Sequence, residues 1–244
     1  MGEIKLLDCT LRDGGYVNDW KFGHNNMVSI FERLVDANVD YIEIGFLDER
    51  RPFDINRSIM PDTDCVQKIF GNLDRKNSLI VGMIDYGTCS LAHIKPCEES
   101  YLDAIRVIFK KHLRNEAMSF CAELKKLGYK VFAQLVSVTS YTDDEMMDLI
   151  RLANEVKPYA VSMVDTYGLM HQNNLKHYFA NSTRSSSGSS HSKRLYGYSH
   201  GDSNHSSDSY NVHDYDDPED FYYDNEDDFD GIDDAETYFY DHND

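Results

Sequence analysis

The sequence predicts an α/β chain: a TIM (β/α)8-type barrel, incomplete at about six β/α units, followed by a disordered acidic C-terminal tail. Three observations carry this. Short apolar runs alternate with amphipathic stretches at roughly 25 to 35 residue spacing, the pattern of βαβ units and a parallel sheet. Several of the runs carry or run into an acid near their C-terminal ends, and in a barrel those ends converge on one face. The composition then changes abruptly at Ala180. The predicted organisation is a partial barrel domain over 1–179 and a Ser/Asp/Tyr-rich segment over 180–244.

In chain order, Ile4 to Leu7 reads as a buried strand running into Asp8-Cys9-Thr10-Leu11-Arg12-Asp13-Gly14-Gly15. Charges where a buried strand exits are costly unless paired, hydrated or bound to a ligand. Gly14 and Gly15 permit a positive φ or a close backbone approach to a ligand. The functional reading is a metal and anion site with Asp13 as ligand and Arg12 as fixed charge. The plain reading is an Asp–Arg ion pair on a glycine turn.

His24 to Asn38 has Met27, Ile30, Phe31 and Leu34 at helical spacing. Val39 to Phe46 is the second strand, with Glu43 pointing away from Ile42 and Ile44 by the two-residue period. That carboxylate needs a partner: a salt bridge inside the barrel with Arg12, a role as site acid, or both. Asp48 to Phe53 reads as a solvated loop, with the alternative that Arg50 or Arg51 meets a substrate anion. Asp62 to Phe70 is a short helix, and Leu79 to Asp85 the third strand. Asp103 to Phe109 is the fourth strand. Glu116 to Leu127 is a helix stopped by Gly128. Lys130 to Ser137 is the fifth strand, carrying Gln134. Thr142-Asp143-Asp144-Glu145 has the capping-box pattern of a helix start. Ala160 to Asp165 is the sixth strand, followed by Thr166-Tyr167-Gly168. No Gly-x-Gly-x-x-Gly or P-loop pattern points to a nucleotide.

The run Asp8 to Gly15 resembles the first-strand signature of the metal-dependent aldolases and acyl transferases related to HMG-CoA lyase. With Tyr16-Val17-Asn18-Asp19-Trp20 it is most similar to the 4-hydroxy-2-oxovalerate aldolase branch. The resemblance continues through Tyr41-Ile42-Glu43-Ile44-Gly45-Phe46 and Ser162-Met163-Val164-Asp165-Thr166-Tyr167-Gly168, over residues 3 to 179. The family's His-x-His pair on the seventh strand is absent. The resemblance implies a lyase or aldolase that breaks or forms a C–C bond next to a 2-oxo acid carbonyl through an enolate. It implies a divalent cation, Mn²⁺ or Mg²⁺, on Asp13, with Arg12 on the enolate oxygen and Glu43 near a metal-bound water. Asp85, Gln134, Asp165 and Thr166 stand near strand ends as candidate substrate-binding residues. His200 is a candidate second metal ligand if the tail folds back, and His205 is equivalent in this respect.

The branch's base histidine after the Arg-Asp pair is replaced here by Tyr16 and Asn18, while His24 reads as a surface residue at a helix start. His171, Asn173 and Asn174 read as decorating a helix start after Gly168. The competing function is a catalytically impaired α/β domain that binds a partner through its acidic tail.

The chain has 244 residues and a formal net charge of −19. Residues 1–179 hold 21 Lys and Arg against 26 Asp and Glu, and residues 180–244 hold 3 against 17. The acidity therefore sits mostly in the tail, and it argues against nucleic acid and anionic membranes as partners. Cys9, Cys65, Cys89, Cys97 and Cys121 are an odd, scattered set, which with the lack of an apolar leader or span leads to the expectation of a cytoplasmic protein. The low-complexity tail lacks the apolar surface to offset its ordering entropy. A barrel stopped at six strands leaves two edges: either the tail supplies strands, or another chain such as a second copy covers the gap, or the body is an open, weakened α/β sheet.

Overall fold

The computed structural model describes residues 4–166, 168–172, 176 and 221. The chain divides into two units, Met1–Ser185 and Ser186–Asp244. The first is described below. The expectations for the tail, including His200, His205 and any seventh or eighth strand, lie outside the described residues, as do Tyr167, Asn173 and Asn174.

Among the described residues there are seven strands: β1 (Leu7–Asp8), β2 (Tyr41–Leu47), β3 (Ile59–Met60), β4 (Leu79–Asp85), β5 (Ala104–Phe109), β6 (Lys130–Leu135) and β7 (Ala160–Met163). Six of them form one path, β1-β2-β4-β5-β6-β7, and β3 pairs with β2 to one side. Every pairing is parallel. With helices between the strands, this is an incomplete, half-barrel version of the TIM architecture. Between the strands run α1 (Thr10–Asp13), α2 (His24–Asp36), α3 (Thr63–Phe70), α4 (Arg114–Lys126) and α5 (Asp143–Val156). Among the described residues no helix is long and apolar enough to cross a membrane.

The first strand departs from expectation. It is only Leu7–Asp8, and the stretch before it is not buried: Ile4 is 94% exposed and Leu6 61%. Among the described strands β1 has a partner on one side alone, β2, so nothing described covers its other edge. Burial of a parallel strand needs cover on both faces.

The helices start and stop for local reasons. Asp62 accepts a hydrogen bond from the Cys65 N–H and opens α3. Thr142 and Glu145 form a reciprocal capping box at the start of α5, which ends at Lys157 in the left-handed conformation just before Pro158. Gly128, at φ +93°, turns the chain out of α4 into β6. On α2 the residues Met27, Phe31 and Val35 are buried. Their stripe packs on Ile42 and Ile44 of β2 and on Phe70 of α3 within one outer core, with the Phe31 and Phe70 rings 5.5 Å apart.

A second, smaller cluster lies apart from that core. It comprises Tyr41, Val81, Ala104 and Phe132, with Leu7, Leu79 and Ala160 against it. Tyr41 and Phe132 meet edge to face at 5.6 Å, and the Tyr41 and Tyr159 hydroxyls are 2.8 Å apart. Burial, with the Tyr159 hydroxyl beside it, pushes the Tyr41 phenol up to about 12. These residues stand at or near the N-terminal ends of β2, β4, β5 and β6. Side chains alternate along a strand, so positions two residues on share the same face. From Tyr41, Ala104 and Phe132 those positions are Glu43, Arg106 and Gln134.

Candidate active site

After β1 the chain does not loop out loosely. Cys9 accepts backbone hydrogen bonds from Arg12 and Asp13, giving the single turn of α1, and a 3₁₀ turn over Gly14–Val17 follows. The two glycines serve differently from expectation. Gly14 has φ −62°. A Cβ on Gly15 would lie 1.9 Å from the Trp20 ring, so Gly15 makes room for an indole and not for a ligand. That indole donates to the Arg12 carbonyl at 2.7 Å and stands edge-on to Phe46 at 5.7 Å. The Arg12 guanidinium lies 5.9 Å from the Phe46 ring centre. Ser58 donates from its hydroxyl to the Leu11 carbonyl at 2.6 Å, pinning the same turn from β3's side.

The turn aims Arg12 at β2. Its Nε donates to Glu43 Oε2 at 2.7 Å, and its Nη1 donates to Asp13 Oδ1 at 2.6 Å. Glu43 is fully buried, so its charge requires this pairing. Its other oxygen, Oε1, accepts from Arg106 Nη1 at 2.9 Å. Arg106 reaches further, donating from Nη2 to Gln134 Oε1 and from Nη1 to Cys9 Sγ at 3.4 Å. One hydrogen-bonded chain therefore links Asp13, Arg12, Glu43, Arg106 and Gln134 across α1, β2, β5 and β6. The plain expectation for Glu43 is met here, since it makes the salt bridge with Arg12 inside the half-barrel.

The electrostatics follow from burial and pairing. Burial works against the charge on Arg12, but Glu43 and then Asp13 outweigh it, and the guanidinium is held above its ordinary value. Burial and the neighbouring Glu43 push the Cys9 thiol up, against the opposing pull of Arg106 and Arg12. Asp13 differs from its neighbours in access: its side chain is 62% exposed, while Arg12 is 11% and Glu43 0%.

The remaining predicted residues are arranged differently. Asp85 ends β4 at the surface, where surrounding protein displaces water and pushes its carboxyl up, with Lys110 and Arg50 opposing. Asp165 accepts from the backbone N–H groups of Leu169 and Met170, both at 2.9 Å, and so holds the turn after β7. Thr166 Oγ1 accepts from the Ser137 N–H at 2.8 Å, tying that turn to the loop after β6. Both residues do backbone work, and neither joins the hydrogen-bonded chain from Asp13 to Gln134. Arg50 turns back onto Asp48 with two side-chain hydrogen bonds, as the solvated-loop reading expects. Tyr16 is 64% exposed and packs edge-on to Trp20. His24 begins α2, its backbone N–H donating to Asn56.

Arg106 is the residue that reading the sequence missed. The signal was available: it alternates with Ile105 and Val107 in an apolar strand, which is the same anomaly that singled out Glu43.

Among the described residues no group of three or more His, Cys, Asp and Glu side chains could enclose a metal ion. The described donor set is one open carboxylate, Asp13. That suits a hydrated hard cation, which one or two carboxylates can hold while most ligands remain water. It does not suit an ion enclosed by protein.

Residues 3–187 match the HMGL-like family, and the chain belongs to that family. A curated relative is 2-isopropylmalate synthase of Saccharolobus solfataricus, 24% identical over 170 residues that make up 69% of this chain and 44% of the relative. Among solved structures, the "N-terminal domain of a putative aldolase" from Bacteroides vulgatus superposes with a TM-score of 0.55 at 18% identity, covering 74% of this chain and 60% of that one. That second likeness speaks for the fold. The chain spans less than two thirds of the length of either.

Proposed function

We propose that the chain is a divalent-metal-dependent lyase or aldolase that cleaves or forms the C–C bond beside a 2-oxo acid carbonyl, of the 4-hydroxy-2-oxovalerate aldolase type. The observation that carries this reading is the Arg12 guanidinium, gripped between a buried carboxylate and an open one at the C-terminal end of β1. Such chemistry passes through an enolate, and a preorganised positive charge aimed at the developing oxyanion is a large source of rate. Arg12 is preorganised by Glu43, and both Glu43 oxygens are engaged by guanidinium groups. Glu43 therefore orients Arg12, and general-base duty falls to another group. Asp13 would hold Mn²⁺ or Mg²⁺. A divalent cation there supplies Lewis-acid polarisation of the substrate carbonyl. Gln134, held by Arg106, would contact the substrate. Asp85, exposed at the C-terminal end of β4, would be a further substrate contact.

A second reading, an α/β domain that binds a partner without turnover, is favoured by the thin described donor set. Pyruvate release from 4-hydroxy-2-oxo acids with Mn²⁺, for wild type and Asp13→Asn, separates the two. Mn²⁺-dependent release that Asp13→Asn abolishes supports the lyase. Absence of both release and Mn²⁺ binding supports the second reading.

A further inference from the structure

We infer that Arg106 is a positioning residue for this reaction: it fixes Glu43, and through Glu43 the direction in which Arg12 points. The inference rests on the lyase reading for its kinetic consequence, but its structural content stands apart from it.

Arg106 is 6% exposed, on an otherwise apolar strand. A buried guanidinium is expensive to desolvate unless its donors are met. Here Nη1 serves Glu43 and Cys9, Nη2 serves Gln134, and Nε is buried without a partner among the described residues. A buried donor left unmet is a cost to stability. Well-packed apolar side chains in place of the whole Glu43–Arg106 pair would serve the fold as well or better. What Arg106 does instead is hold the second oxygen of Glu43.

The consequence for Arg12 is geometric. Glu43 is met by Arg12 on one oxygen and by Arg106 on the other. Cys9 is the remaining titratable group beside it, and Asp13 stands on the far side of Arg12. With both oxygens held, the carboxylate plane is fixed, and Arg12 Nε has one acceptor direction. Without Arg106, Glu43 can rotate and Arg12 follows it. Of the two carboxylates that meet Arg12, Glu43 is buried and shared with Arg106, and Asp13 is open to water.

The chain supplies its own reporter. Trp20 is its sole tryptophan, and its indole N–H donates to the Arg12 carbonyl. Emission excited selectively at tryptophan therefore reads the Arg12 turn without reference to activity.

The experiment compares full-length wild type, Arg106→Met, Glu43→Gln and the double variant. Circular dichroism confirms folding, Trp20 emission reports the turn, and kcat and KM are measured separately for pyruvate release with Mn²⁺. The expected result is a shifted Trp20 emission and a kcat loss of about 100-fold in Arg106→Met, the scale for misplacing a catalytic group by an ångström, with KM little changed. The double variant should show no loss beyond the larger single one, as groups acting as a unit do. Should Arg106→Met not fold, Arg106→Lys replaces it. It keeps the charge near Glu43 but cannot span to Gln134, and it should fall between wild type and Glu43→Gln in both readouts. Folded Arg106 variants with wild-type emission and wild-type kcat overturn the inference. Wild type without lyase activity overturns the proposed function, while the emission comparison still decides the role of Arg106.

Discussion

On β2, β5 and β6, Tyr41, Ala104 and Phe132 belong to a small apolar cluster. Two residues further along the same strands, Glu43, Arg106 and Gln134 are bound into a charged, hydrogen-bonded layer. The backbone is the same and the burial is the same, since all three polar residues are at most 6% exposed. Only the chemistry differs. The lower layer does what a barrel interior does for stability, with rings edge to face and a hydroxyl pair at its rim. The upper layer has charges where packing alone would favour hydrocarbon. The step from one to the other marks where the fold stops serving itself.

The comparison can be broken from either side. Replacing Glu43 with Gln in the upper layer leaves two buried guanidinium groups facing a neutral amide. Removing one partner of a buried ion pair costs about 3–5 kcal/mol, so urea unfolding should show a loss of that order, with the Trp20 environment altered. Phe132→Ala in the lower layer should cost a similar about 3–5 kcal/mol by leaving a cavity. Its folded fraction should keep wild-type kcat, because the layer above is untouched. A Phe132→Ala enzyme that folds but loses kcat would erase the distinction between the layers.

A smaller effect tests the rim, where charges face water. The Asp48 carboxyl is opposed by burial, but the Arg50 side chain and backbone N–H outweigh it and hold the carboxyl below its ordinary value of 3.8. A lowered folded value means that the stabilisation is complete above 3.8 and is lost as pH falls through the lower folded value. Arg50→Met removes most of it, so urea unfolding should show a small loss of stability at neutral pH, and the difference from wild type should fade as pH falls below 3.8. Arg50 is largely exposed, and the change should stay below about 1 kcal/mol.

Much of this was legible from the sequence because the strands and helices obey local rules. The Thr142–Glu145 box, the Gly128 stop and the Met27–Phe31–Val35 stripe are each set by a few residues. Glu43 was legible through the two-residue period and its isolation among apolar neighbours. Other features depend on partners distant in the chain. Arg106 meets Glu43 across 63 residues and Cys9 across 97. The purpose of Gly15 is set by an indole five residues on, which folds back over it. The predicted first strand is shorter than expected, because apolar residues at a sheet edge with no described cover read like those of a covered one. Asp165 and Thr166 sit at the end of β7 as expected. Yet which acceptor a backbone N–H takes in a loop is not written in periodicity.

The central claim is that Arg12, oriented by Glu43 and bordered by Asp13, supplies the fixed charge for the reaction. Arg12→Lys tests it most directly, since lysine keeps a positive charge but cannot donate to Glu43 and Asp13 in the same fixed geometry. Measured as kcat for Mn²⁺-dependent pyruvate release from a 4-hydroxy-2-oxo acid, the account predicts a fall of about 10²- to 10³-fold in a fully folded variant. A folded Arg12→Lys enzyme turning over at the wild-type rate would contradict it.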